Sequence, residues 1–169
     1  MEEVILVDKK DNIVGKCEKI EAHHKGLRHR AFSVFIFNSK GEMLIQKRAL
    51  HKYHSPGLWS NSCCSHPRIN ETTEYAAHRR LKEELGFDCE IIEKTTFCYE
   101  TSLNNNLYEN EYDHIFVGIY DGIVIVNDDE IEEFAWINMK ELLKEVEKKP
   151  DDFTFWFKKI LNYNIKEIC

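Results

Sequence analysis

The side chains of this chain that can do chemistry cluster first in Asn61-Ser62-Cys63-Cys64-Ser65-His66-Pro67, which runs directly into a charged stretch from Glu71 to Gly86. Residues two apart in extended chain point the same way, so Cys64 and His66 share a face and Cys63 points toward the core. A thiol of ordinary pKa ~8.5 becomes more acidic beside a cation and then serves as base or nucleophile. The plain alternative is a pair of buried structural thiols.

A second group is dispersed along the chain. Leu107 to Tyr112 alternates, placing Glu109 and Glu111 on one face and Tyr108, Asn110 and Tyr112 on the other. In an ordinary edge strand the carboxylate face would be solvated. With His29, His66 and either His23 or His24, the two carboxylates offer three imidazoles and two acids. Such a set can fill the shell of a borderline divalent metal at about 2.0–2.2 Å. Lys47, Arg48 and Lys52 lead into a loop turned by Ser55-Pro56-Gly57. They are either solvated charge or a clamp for an anion.

These residues need a scaffold, and 169 residues with 43% hydrophobic and 12% aromatic content suffice for one core, giving a single domain over 1–169. The 23 basic and 30 acidic residues sum to −7. That argues against a broad nucleic-acid or anionic-membrane surface, so any anion must be met locally. The N-terminus lacks the pattern of a signal segment and no apolar run approaches a membrane span, which predicts a cytoplasmic protein. Six cysteines without a CxxC pair suggest neither a zinc knuckle nor a disulfide framework.

The coarse reading begins with a hairpin of Val4–Val7 and Ile13–Cys17, followed by a helix or loop over Glu18–Arg30. Ala31–Phe37 is apolar enough to be covered on both faces, and it forms a central hairpin with Met43–Arg48. A helix over Glu71–Gly86 is capped by Asn70 or Thr72, carries Glu71 and Glu74 in its first turn and stops at Gly86. Ala77, Leu81 and Leu85 form its buried stripe, with Arg80 and Glu84 on a neighbouring one. Short strands at Cys89–Ile92 and Thr95–Tyr99 precede a loop at Ser102–Asn106. A hairpin of His114–Tyr120 with Ile123–Val126 leads to a last strand, Glu133–Ile137. Helices follow over Met139 to about Lys149, capped by Asn138, and Phe153–Tyr163. The class is α+β, a mixed sheet with helices packed on it.

The box Ser65-x5-Glu71-x7-Arg79-Arg80-Leu81-Lys82-Glu83-Glu84-Leu85-Gly86-Phe87 resembles the Nudix signature G-x5-E-x7-R-E-U-x-E-E-x-G-U, U being bulky and apolar. Ser65 replaces the opening Gly, and Arg80 replaces a Glu that in Nudix hydrolases helps hold Mg²⁺. A guanidinium repels a metal and welcomes a phosphate, which argues against pyrophosphate hydrolysis. Those departures are similar to one branch, the type 1 isopentenyl diphosphate isomerases. The stretches Gly26–Ser33, Asn61–Pro67, Arg79–Gly86 and Tyr108–Glu111 look like that family's motifs, in its order.

The resemblance implies a Nudix-like mixed sheet between helices that isomerises isopentenyl diphosphate to dimethylallyl diphosphate through a tertiary carbocation. It implies one divalent metal (Mn²⁺, Zn²⁺ or Mg²⁺) in a His3Glu2 site of His23, His29, His66, Glu109 and Glu111, with His24 adjoining His23 as the alternative. Cys64 and Glu111 become the acid/base pair, Tyr99 joins them, and Trp156 lines the pocket. Lys19, Arg48, Lys52 and Arg80 would meet the diphosphate, and Glu84 a Mg²⁺ travelling with it. The partner is then a small-molecule diphosphate, without nucleic acid or membrane, for a monomer or weak dimer. The alternatives are a Nudix hydrolase of a nucleoside or isoprenoid diphosphate and a noncatalytic metal- or partner-binding domain.

Overall fold

The computed structural model describes residues 2–103 and 106–168, with backbone alone at 164 and 165. Strands β1 (Glu3–Val7) and β2 (Ile13–Glu18) pair antiparallel. Their turn is closed by Asp8, whose carboxylate accepts from the amides of Lys10 and Asn12. Helix α1 (Lys19–Lys25) follows, with the Glu18 carboxylate capping the Glu21 amide and Gly26 at φ 62° ending it.

Strand β3 (His29–Phe37) is the axis of the sheet. It runs parallel to β8 (Tyr108–Ile119), from His29 opposite Glu111 to Phe37 opposite Ile119. It also pairs antiparallel with β6 (Cys63–Ser65). Phe32, Val34 and Ile36 pack on Ala76, Ala77, Leu81 and Leu85 of α2 (Thr73–Leu85). Phe35 on the other face packs with Phe157, Ile160 and Leu161 of α4 (Phe155–Ile168). Burial on both faces is why this segment reads as an unbroken apolar run.

The expected central hairpin is not a true one. β3 and β4 (Glu42–Arg48) pair only at Phe37 and Met43, beside the connecting loop. They then diverge, β4 joining β5 (Trp59–Ser60) on one side and β9 (Ile131–Asn138) on the other. The gap between β3 and β4 is where Asn61 and Ser62 enter, Ser62 accepting from the Ile36 amide and donating to the Leu44 carbonyl.

Three further expectations are corrected. The two short strands are one, β7 (Ile91–Ser102), with an irregularity between Glu93 and Thr95, paired along β8. Ile123–Val126 is not a strand: it crosses the end of α2, where the Ile125 and Asn127 amides bond the Leu85 and Glu84 carbonyls. Those carbonyls have no partner within the helix and take one from the passing chain. Thr72 caps α2 through the Tyr75 amide, so Glu71 lies outside the helix and only Glu74 occupies its first turn.

Asn138 caps α3 (Met139–Lys148). Pro150–Asp152 form a single 3-10 turn, and Phe153 bridges to Trp59 before α4 begins. The loop expected at Ser102–Asn106 falls partly outside the described residues; Ser102 is the last residue of β7. Among the described residues no helix is long and apolar enough to cross a membrane.

Candidate active site and metal centre

The alternation of β8 turns Glu109, Glu111 and Asp113 inward, at 2%, 8% and 1% exposure. The carboxylate face is therefore not the solvent face. Three buried histidines converge on it from α1 (His23), the start of β3 (His29) and the end of β6 (His66). His24 is exposed and faces the Asn106 carbonyl, so only His23 joins the group. The His23–His29 and His29–His66 ring centroids are 4.8 and 4.9 Å apart.

Local backbone sets the tautomers. His23 Nδ1 donates to the Lys19 carbonyl at 2.7 Å, and His29 Nδ1 to that of Leu27 at 2.8 Å. Each Nε2 is left with a lone pair directed inward. His23 Nε2 lies 3.5 Å from Glu109 Oε2, His29 Nε2 lies 3.5 Å from Glu111 Oε1, and His66 Nε2 lies 3.0 Å from the same Glu111 atom. Among the described residues, His23 Nε2, His29 Nε2 and Glu109 Oε2 are buried without a hydrogen-bond partner. Orphaned buried acceptors carry a cost that a shared cation removes, so the donor set fits a divalent metal.

Charges within the cluster diverge. Burial disfavours an ionised Glu111, but the His29 and His66 imidazoles, 3.5 and 3.0 Å from Oε1, outweigh it and hold the carboxyl well below its usual range. Burial, with the charge of Glu111 beside it, pushes Glu109 well above. Burial likewise lowers His66 to about 4, against the opposing pull of Glu111. The Tyr99 hydroxyl donates to Glu111 Oε2 at 2.6 Å, and burial followed by that carboxylate raises its pKa well above the usual value.

Cys64, opposite Ser33 on β3, lines a cavity of about 280 Å³ together with His66, Tyr99, Glu109, Glu111 and Trp156. Cys63 faces the other way, fully buried in the α2 layer. The expected acidification of Cys64 is not found. Burial pushes the thiol up to about 12, Arg48 being the main opposing influence, so the group rests protonated. Trp156 Nε1 donates to Ser60 Oγ at 3.1 Å, which fixes the ring at the wall.

The same cavity is also lined by Lys19, Arg48, Lys52 and Arg80, each beside a carboxylate or a ring. Lys19 pairs with Glu2 at 3.1 Å, and Lys52 with Glu130. Arg80 Nη2 reaches Glu84 Oε1 at 2.6 Å and Glu130 Oε1 at 3.0 Å. Arg48 lies 5.4 Å from the Trp156 ring centroid, and its buried Nε has no partner among the described residues. Cys64, His66, Glu84, Tyr99, Glu109, Glu111, Trp156 and the four cations line one cavity, with His23 and His29 behind Glu109 and Glu111, whereas His24, Lys47 and Cys63 lie outside it.

Sequence reading missed His54, Glu130 and Asp113. Asp113 was within reach, because it continues the 109, 111 alternation; it accepts from Ser33 Oγ at 2.7 Å and leaves Oδ1 unpartnered. His54 and Glu130 lie in irregular chain, where no periodicity assigns a side chain to a face.

Residues 27–157 match the family profile described as NUDIX domain. Isopentenyl-diphosphate Delta-isomerase 2 of Photorhabdus laumondii is 52% identical over 163 residues, covering 96% of this chain and 92% of the relative. The Isopentenyl-diphosphate Delta-isomerase of Burkholderia multivorans is 49% identical over 156 residues, covering 92% and 89%. Among solved structures, DR0079 from Deinococcus radiodurans superposes at a TM-score of 0.77 with 18% identity, over 96% of this chain and 99% of that one. The MutT protein from Methanosarcina mazei Go1 gives 0.68 with 17% identity, over 83% and 94%. At these identities the solved structures speak for the fold alone.

Proposed function

The chain belongs to the isopentenyl-diphosphate Delta-isomerase family and carries its NUDIX domain, and from that membership we propose that it converts isopentenyl diphosphate to dimethylallyl diphosphate. The observation that carries the reading is the Cys64 thiol and the Tyr99–Glu111 pair lining one cavity together with four cationic side chains.

Moving the double bond adds a proton to the terminal CH₂ and removes one from C2, by way of a tertiary cation at C3. An acid and a base must therefore reach the same substrate. The resting charges suit this: the half-buried thiol of Cys64 holds a proton, and Glu111 is ionised and able to accept one. Tyr99 holds the Glu111 carboxylate through Oε2. The Trp156 ring face would stabilise the cation by about 1–2 kcal/mol in a desolvated pocket. Lys19, Arg48, Lys52 and Arg80 would exchange their present partners for diphosphate oxygens and fix the substrate's orientation.

His23, His29, His66, Glu109 and Glu111 would hold one divalent ion, and Glu84 a Mg²⁺ accompanying the diphosphate. Bound there, the first ion supplies positive charge beside Glu111 and Tyr99. The same reading gives a cytoplasmic protein, a monomer or weak dimer, whose partner is a small-molecule diphosphate.

Isopentenyl diphosphate supplied with Mn²⁺ and Mg²⁺ should yield dimethylallyl diphosphate. No turnover by the metal-loaded protein would overturn the proposal. Release of phosphate would instead favour a hydrolase, a reading Arg80 already opposes: it stands where the hydrolase signature has a carboxylate, and it engages Glu84 and Glu130.

A further inference from the structure

His54, between β4 and β5, takes no part in the mechanism above. Its side chain is only 9% exposed, and Nε2 lies 3.6 Å from Glu109 Oε1. The other oxygen of Glu109 is the unpartnered one, 3.5 Å from His23 Nε2. The ring is held edge-on by Tyr53 at 4.4 Å and by Trp156 at 5.7 Å, and it stacks toward His23 at 6.1 Å. The loop behind it is fixed as well, since Arg48 Nη2 donates to the His54 carbonyl at 3.3 Å.

Donor atoms of His23, His54 and Glu109 all lie within 4.8 Å of one another, as do those of His23, His29, His66 and Glu111. Ligand atoms bound at about 2.0–2.1 Å lie roughly 3–4 Å apart, so modest side-chain rotation brings either group onto an ion. The two groups share His23. Its Nδ1–H is engaged by the Lys19 carbonyl, and the single lone pair on Nε2 serves one ion at a time. The groups therefore cannot each hold an ion at the same time.

We propose that His54 is a ligand of that same ion, so that the centre carries four imidazoles and two carboxylates. The proposal rests on the metal-centre reading above. A shell of six protein atoms leaves no coordination position for water, which suits a pocket that must keep water from a carbocation.

The test loads wild type and His54→Ala with Mn²⁺, measures affinity by competition, and counts coupled imidazole nitrogens by pulsed EPR. Four nitrogens are expected in wild type and three in the variant, with affinity weakened about 10- to 100-fold or more. Three nitrogens in wild type overturn the proposal whatever the variant does. An affinity loss without a change in nitrogen count makes His54 an outer partner of Glu109 and overturns it too. Because the wild-type count decides by itself, misfolding of His54→Ala leaves the question answerable, and His54→Gln provides a second variant. Failure of wild type to take up stoichiometric Mn²⁺ would instead overturn the metal-centre reading on which this one stands.

Discussion

The Tyr99 hydroxyl donates to Glu111 Oε2 at 2.6 Å, and the two residues stand directly opposite each other across β7 and β8. A hydrogen bond to a buried charge contributes about 1.5–3 kcal/mol. Tyr99→Phe should accordingly lose up to that much stability and, by letting the Glu111 carboxylate shift, lower kcat by roughly 10- to 100-fold while metal content stays near wild type. Steady-state kinetics beside metal analysis checks this. A parallel loss of metal would mean that Tyr99 holds the cluster together and has no separate part in proton transfer.

Cys63 and Cys64 are neighbours on opposite faces of β6, one in the α2 layer and one on the cavity wall. Cys64→Ala should reduce turnover by about 10²- to 10⁴-fold, the range of a positioned acid or base. Cys63→Ala should keep kcat and cost roughly 1–2 kcal/mol of stability through the small cavity it leaves. Equal catalytic losses would contradict the facing of the strand.

Removing metal should destabilise the protein. The unpartnered atoms of His23, His29 and Glu109 lose a shared cation, and an ion present at about 100 times its Kd contributes some 2.7 kcal/mol. In a domain of this size that corresponds to a fall of about 5–10 °C in Tm on chelation, reversed by Mn²⁺. A Tm indifferent to chelator and Mn²⁺ would leave the cluster without a structural ion.

Acid should weaken one ion pair outside the cavity. Arg79 donates to Glu71 through Nε at 2.6 Å and Nη2 at 2.8 Å, and those bonds, against some burial, lower the Glu71 carboxyl below its ordinary 4.5. A depressed folded-state pKa gives stability that is full above 4.5 and is lost as the pH falls through the lowered value. Glu71→Gln should cost about 1–2 kcal/mol near neutrality, allowing for solvent screening, and less at each step below that range. Urea unfolding of both proteins across acid pH measures the convergence; a gap constant with pH would rule it out.

Much of this site is legible in the chain because strands and helices have fixed periods. Period two placed Glu109 with Glu111 and Cys64 with His66, and the four-residue recurrence of Ala77, Leu81 and Leu85 aligned Arg80 with Glu84, which now meet at 2.6 Å. The same reasoning overreached at Ile123–Val126, an apolar run that covers the end of α2 without entering the sheet.

Period alone determines which side chains share a face, since that follows from the backbone geometry of adjacent residues. Which face is buried depends on contacts between distant parts of the chain, and only the tertiary structure decided it. His66 meets Glu111 from 45 residues away, and β3 meets β8 along its whole length. These contacts bury both glutamates, select His23 over His24, bring His54 to Glu109 and raise the Cys64 thiol. Proton affinity and ligand geometry answer to the dielectric and charges around a group, and those surroundings exist only once the chain has closed on itself.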